Sequence, residues 1–237
     1  MQLFTTFEYD PLLVVAWAGG IILFFVLAVF FIKPRRDFIK ALFFIPLSFI
    51  TVVATSYLVL ETMRQINISP TKGPVHWHAD FKIFRCGEEI DLVDPKSFSN
   101  RVGTPLVHEH GDKRVHIEGI PEDLGAASLK NFMYAVGGYM SEDTLRISTN
   151  MGSMEMKNGN LCRESAGTLQ VFVWTTDNNI ATQRKLELFS DYTISPHALV
   201  PPGDCIIVEF DIPKEQTEYI CEQYSVAENR GDISIEY

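Results

Sequence analysis

Two uninterrupted apolar stretches constrain this chain more than any other feature. Leu12 to Ile32 (LLVVAWAGGIILFFVLAVFFI) runs 21 residues without a charge, and Ala41 to Leu60 (ALFFIPLSFITVVATSYLVL) runs 20. A hydrocarbon core roughly 30 Å thick takes about 20 apolar residues of helix, so each stretch can cross it once. Gly19-Gly20 and Pro46 would weaken a soluble helix but are tolerated in a spanning one. The first stretch is too long for the apolar region of a cleavable leader, and no basic segment precedes it. Residues 1–64 are therefore expected to be a membrane anchor with spans at 12–32 and 41–60, and the lipid bilayer its first partner.

The loop between the spans, Lys33 to Lys40, carries four basic residues in eight, whereas only Glu8 and Asp10 are charged before the first span. Positive-inside asymmetry predicts a cytoplasmic loop at 33–40 and both termini outside the cell membrane. Arg64 is a single opposing charge. All four cysteines (Cys86, Cys162, Cys205 and Cys221) follow the spans. An even count in an oxidising compartment predicts two disulfides, with three pairings open.

From Gln65 onward there are 15 Lys and Arg against 26 Asp and Glu, a net charge of −11. Nucleic acid and anionic headgroups demand basic patches, so neither is an expected partner. Residues 65–75 read as a polar linker with two prolines and a glycine, and a β-rich domain is expected over 76–213. The acidic stretch 214–237 lacks clear periodicity and reads as a partly disordered tail tethered at Cys221.

Within the domain the pattern has mostly period two, the signature of strands. His76 to Arg85 alternates, Cys86-Gly87 supplies a two-residue turn, and Glu88 to Leu92 returns. This register sets Ile83 opposite Ile90 and Phe81 opposite Leu92, with Trp77, Ala79, Phe81 and Ile83 on the core face. His76, His78 and Asp80 share the other face. A second hairpin runs from Pro105 to His110, through Gly111-Asp112-Lys113, and back along Arg114 to Gly119. A three-residue loop sets His108 opposite His116 and Val107 opposite Ile117, whereas a one-residue slip would mix the faces. One helix is predicted over Ser128 to Val136, capped by Ser128 and ended by Gly137-Gly138. Further strands are predicted at Leu145 to Thr149, Thr168 to Thr175 and Cys205 to Asp211, the last after the turn signal Val200-Pro201-Pro202-Gly203-Asp204. The expected fold class is thus two N-terminal transmembrane α-helices followed by a mainly antiparallel β (α+β) extracytoplasmic domain with one short helix.

Five of the six histidines fall between residues 76 and 116, as His76-x-His78 and His108-x-His110-x5-His116. Alternate residues of a strand share a face about 6.5–7 Å apart, and directly opposed residues of an antiparallel pair stand about 5 Å apart. Imidazoles so spaced can converge on one ion at about 2.0–2.1 Å. His76, His78, His108, His110 and His116 are therefore candidate metal ligands. Asp80 and Glu118 on the same faces are candidate carboxylate ligands or partners that orient an imidazole. Glu109 points the other way. Imidazole suits copper and zinc among other ions, so Cu or Zn is the expected metal. An open three-histidine site would be catalytic in form and a closed four-ligand site structural. His197, alone in Ser195-Pro196-His197, reads as a loop residue.

His76-x-His78-x-Asp80 is similar to the opening of the metallo-β-lactamase motif, but Phe81 stands where the next histidine is required. His108-x-His110 with Glu118 is similar to a cupin motif, but the spacing to the glutamate is too long. The segments HWHADFKIFRCG (76–87) and HEHGDKRVHIEG (108–119), with Leu129 to Phe132 after them, more closely resemble membrane-anchored or secreted prokaryotic proteins that pair two such hairpins. That resemblance spans roughly residues 76–138 and implies no particular reaction. No G-x-S-x-G, phosphate-binding glycine loop or dinucleotide fingerprint occurs, so an enzyme is not the expected reading. An enzyme that uses a histidine-bound metal stays a third reading beside two function classes. One is a membrane-tethered extracytoplasmic metal-binding domain. The other is a non-catalytic subunit of a larger membrane assembly, docked to other membrane proteins, with structural histidines.

Overall fold

Both apolar stretches are helical in the computed structural model, which describes residues 10–96, 98–194 and 203–236. Helix α1 spans Pro11–Ile32 and α2 spans Asp37–Ile68. The Asp10 carboxylate caps α1 by accepting from the Leu12 N–H at 2.8 Å, with Pro11 in the first turn, where its missing N–H costs nothing. At 22 and 32 residues both helices are long and apolar enough to cross a membrane, and none of their residues is buried within the chain. Helix α2 continues through Met63 to Ile68, so the first part of the expected linker is helical. No breaker lies between Leu60 and Pro70, and the Glu61 carboxylate accepts from Arg64 at 2.6 Å and Gln65 at 3.1 Å along the helix. His197, Pro201 and Pro202 lie outside the described residues.

The chain divides into two compact units, Met1–Asn67 and Ile68–Tyr237. The second is built on strands. These are β1 (Val75–Arg85), β2 (Glu88–Ile90), β3 (Val102–Gly103), β4 (Val107–Glu109), β5 (Arg114–Gly119), β6 (Tyr139–Met140) and β7 (Thr144–Thr149). There follow β8 (Gly152–Lys157), β9 (Leu161–Cys162), β10 (Ser165–Ala166), β11 (Thr168–Asp177), β12 (Ile180–Leu186), β13 (Cys205–Asp211) and β14 (Ser234–Glu236). Helices α3 (Leu129–Ala135) and α4 (Glu222–Arg230) complete the unit, with a 3-10 turn at Leu124–Ala127.

Among the described residues nine strands make one sheet, in the order β14-β12-β11-β13-β1-β5-β4-β3, with β2 also on β1. The sheet is mainly antiparallel, as expected, with two parallel pairs: β1 with β13, and β12 with β14. The hairpin registers follow the apolar alternation. Ile83 pairs with Ile90 around Cys86-Gly87, both at positive φ as a two-residue hairpin turn demands. Val107 pairs with Ile117 and His108 with His116. The expected Phe81–Leu92 pair does not form. The β5 strand occupies that edge of β1 as far as Asp80, and the Phe81 N–H donates to the Lys113 carbonyl at 2.9 Å. Leu92 leaves the ladder and is buried in the core instead.

Two cores flank the sheet. On one face Ala79, Phe81, Ile83, Val115 and Ile117 pack with Leu129, Phe132 and Met133 of α3 and with Leu145, Ile147 and Met156 of the β6-β7-β8 sheet. On the other, Phe84, Phe172, Trp174 and Ile207 pack with Tyr224 and Ala227 of α4. The apolar run of β13 is explained by this burial on both faces. Ser128 caps α3 as expected, accepting from the Asn131 N–H at 3.4 Å.

The acidic C-terminal stretch is ordered, contrary to its composition. Gln183 exchanges two hydrogen bonds with the Thr217 backbone, at 2.9 and 2.7 Å, and Trp174 Nε1 donates to the Tyr219 carbonyl at 3.1 Å. The Tyr219 ring stacks on Phe84 at 3.7 Å. Helix α4 is only nine residues long, too short to show a period, yet its buried Tyr224 and Ala227 lie one turn apart on a single face.

Disulfides join Cys86 to Cys162 and Cys205 to Cys221, and no described cysteine is free. They bridge sequence separations of 76 and 16 residues. Loop-closure entropy assigns them about 4.5 and about 3 kcal/mol respectively. Denatured, unreduced protein should therefore show no reactive thiol, and Cys86→Ser with Cys162→Ser should destabilise more than Cys205→Ser with Cys221→Ser in urea titrations. The reverse order would contradict the loop-length argument.

Candidate metal centre

The histidine face belongs to the side of the sheet that carries the second core, beyond the residues that core buries. Residues His76, His78 and Asp80 of β1 and Arg114, His116 and Glu118 of β5 alternate with core residues, so they lie on the α4 side of the sheet. Antiparallel pairing of β1 with β5 sets His78 directly opposite His116 and His76 opposite Glu118. On the far edge of β5, β4 sets His108 opposite His116. Three adjacent strands thereby bring all five histidines of the two hairpins together.

Ring centroids trace a continuous path. His76 lies 4.6 Å from His78, His78 4.7 Å from His116, and His116 4.6 Å from His110 and 5.6 Å from His108. Two trios each place three candidate ligand atoms within 4.8 Å of one another: His76, His78 and His116, and His108, His110 and His116. His116 belongs to both.

The ring nitrogens have assigned tasks. His108 Nδ1 lies 3.1 Å from the Thr104 carbonyl oxygen, and His110 Nδ1 contacts that of Asn100. A carbonyl only accepts, so each ring donates its Nδ1–H and keeps a lone pair on Nε2. His116 Nε2 sits 3.1 Å from the Asp112 carboxylate, which by the same logic leaves the lone pair on Nδ1. Glu118 stands between the trios, with Oε1 3.1 Å from His76 Nε2 and Oε2 3.8 Å from His108 Nε2. The His108 lone pair and a carboxylate oxygen thus face one another, an arrangement that a cation between them relieves. Two ligand atoms each about 2.0–2.1 Å from one ion are separated by roughly 3–4 Å, which brackets that spacing.

Burial favours the neutral form of His78, His108 and His116. It pushes His78 down to about 4, with His116, His76 and Arg114 adding to the effect and Glu118 opposing it. His108 and His116 are also lowered, chiefly by burial. Neutral imidazole is the metal-binding form.

The structure groups the five predicted histidines and puts Glu118 against two of them, while Asp80 is turned to another task. Its Oδ1 accepts from Arg114 Nε at 2.7 Å, and burial raises its pKa against that pairing. Glu109 lies on the core side as expected, buried, with its pKa raised by burial. Sequence reasoning did not find Asp112, although its place four residues before His116 in a tight loop was a usable signal. Nor did it find Asn100 and Thr104, whose backbone carbonyls leave no mark in side-chain identity. Gly103 also escaped it. At φ 128°, a Cβ there would stand 2.5 Å from the Val107 oxygen and 2.8 Å from His108 Cα. Only glycine lets β3 lie this close to β4 and bring those carbonyls to the two rings.

No known protein family, curated protein or solved structure matches the chain.

Two outcomes follow from this geometry. In metal-free protein the unfolded chain protonates His78 near the ordinary 6.5 and the folded chain only near 4. Between those values the unfolded state binds more protons, so stability rises with pH there. Urea midpoints measured with chelator present should fall as pH drops from 6.5 toward 4, and a flat profile would contradict the burial of the ring. Gly103→Ala should cost about 1–3 kcal/mol through forced backbone strain, read as a lowered Tm.

Proposed function

We propose that the chain is a membrane-tethered metal-binding protein whose five-histidine face, with Glu118, holds copper or zinc on the outer side of the membrane. The observation that carries this reading is the convergence of five imidazoles from two hairpins, two of them anchored at Nδ1 by backbone carbonyls with Nε2 left to bind. Metal-ligating histidines are oriented in this way, through a hydrogen bond from the nitrogen that does not bind. His76, His78, His108, His110 and His116 are the proposed ligands. Glu118 is a ligand or charge partner, and Asp80 takes an outer structural role through Arg114.

Two paired disulfides support an oxidising compartment for this domain. The two long apolar helices support a two-span anchor. The basic loop at 33–40 supports a cytoplasmic loop with both termini outside. A second reading draws on the helices themselves. Their residues are unburied within the chain, so lipid or other membrane proteins must cover them, as in a subunit of a larger assembly.

The deciding measurement is elemental analysis of the full chain, purified untagged in detergent, exposed to Cu(II) or Zn(II) and desalted. One retained ion per chain is expected, lost in the His110→Ala, His116→Ala double variant. His108 is avoided because its side chain is only 1% exposed and its loss would disturb packing. A well-folded protein that retains no ion under either condition sinks the metal reading and favours the assembly subunit.

A further inference from the structure

The two histidine trios differ in exposure at one position, His76 against His108. The His76 side chain is 63% exposed, that of His116 12%, and that of His108 1%. The trio of His76, His78 and His116 therefore opens to solvent at His76, while the trio of His108, His110 and His116 is closed at His108; His78 and His110 are both half-buried. Their shared member has one lone pair to give, because the Asp112 carboxylate holds the Nε2–H of His116. Two ions at once would require that ring to lose its last N–H proton and leave Asp112. Glu118 offers a separate oxygen to each side, Oε1 toward His76 and Oε2 toward His108.

Resting on the metal-binding reading above, we infer that the five histidines form two stations for a single ion. An outer station of His76, His78 and His116 loads it, and an inner one of His108, His110 and His116 holds it. His116 and Glu118 remain available to the ion as it passes between them. No bond to carbon forms and no electron moves. The step exchanges one pair of imidazole ligands for another while a third imidazole is retained. The donor set is imidazole and carboxylate nitrogen and oxygen throughout, which suits Cu(II) or Zn(II). The arrangement gives a sheltered site fast access, since the ion need never shed all its protein ligands to move inward.

The test separates rates from equilibrium, using the full chain in detergent and Cu(II) supplied from, and withdrawn by, a chromophoric chelator. His76→Gln with His78→Gln should slow both loading and removal by about tenfold or more, while Kd changes far less. His110→Gln should do the opposite, weakening Kd by about tenfold or more and speeding removal. Near-UV circular dichroism and the absence of free thiols establish that each variant is folded. A wild-type chain that retains two ions, or an outer-station variant that loads at the wild-type rate, overturns the two-station inference while leaving metal binding intact. A wild-type chain that retains none removes the underlying reading as well.

Discussion

The pairing of β1 on both of its edges organises everything else in the second unit. Its C-terminal half, Asp80 to Arg85, lies parallel to β13 on one edge, while the other edge is divided between β5 and β2. A strand in such a position must satisfy two different surroundings along its length. Near Phe84 both faces are covered, so apolar residues stand on each. Near His76 and His78 only one face meets the core, and the other is left to polar groups. The change occurs within eleven residues of one strand. It decides that the histidines of the first hairpin meet those of the second.

Leaving a polar face half covered has an electrostatic consequence. Partial burial disfavours imidazolium, so His78, His108 and His116 remain neutral at pH values where free histidine is partly charged. Neutral rings keep lone pairs, and buried lone pairs require partners. The carbonyls of Thr104 and Asn100 and the carboxylate of Asp112 take the N–H groups of His108, His110 and His116. What remains on those three rings is a set of lone pairs, that of His108 facing Glu118, itself an acceptor when ionised. Apolar packing gives no reason for such a surplus of lone pairs, whereas affinity for a cation does.

Much of this was written in the sequence at short range. Alternation along His76 to Arg85 and the Gly111-Asp112-Lys113 loop fixed both hairpin registers, because a slip would have moved apolar side chains out of the core. Ser128 and Gly137-Gly138 bounded α3 for equally local reasons. The parallel pairing of β1 with β13 was not legible, since it joins residues more than a hundred positions apart and no turn announces it. The pairing of β1 with β5, which merges the histidine pairs, was hidden because no single turn joins the two strands. The ordered C-terminal stretch was missed because its anchors, Gln183, Trp174 and Phe84, lie on distant strands. Asp80 illustrates the limit within the site. Its face was right, but Arg114 directly opposite it took its carboxylate.

The donor set also bears on which ions such a face would favour. All four cysteines are consumed in disulfides, so the cluster has nitrogen and oxygen donors and no thiolate. Soft Cu(I) is held best by sulfur, whereas imidazole with carboxylate favours the borderline divalent ions, and among these Cu(II) binds most tightly at a given site. A fixed, tight cage would then release its ion slowly. Sharing one imidazole between an exposed trio and a sheltered one offers a way around this, because ligands can be exchanged one or two at a time rather than all together. Asp112 is the residue on which that economy turns: by keeping the Nε2 proton on His116, it leaves a single lone pair to be contested by the two trios.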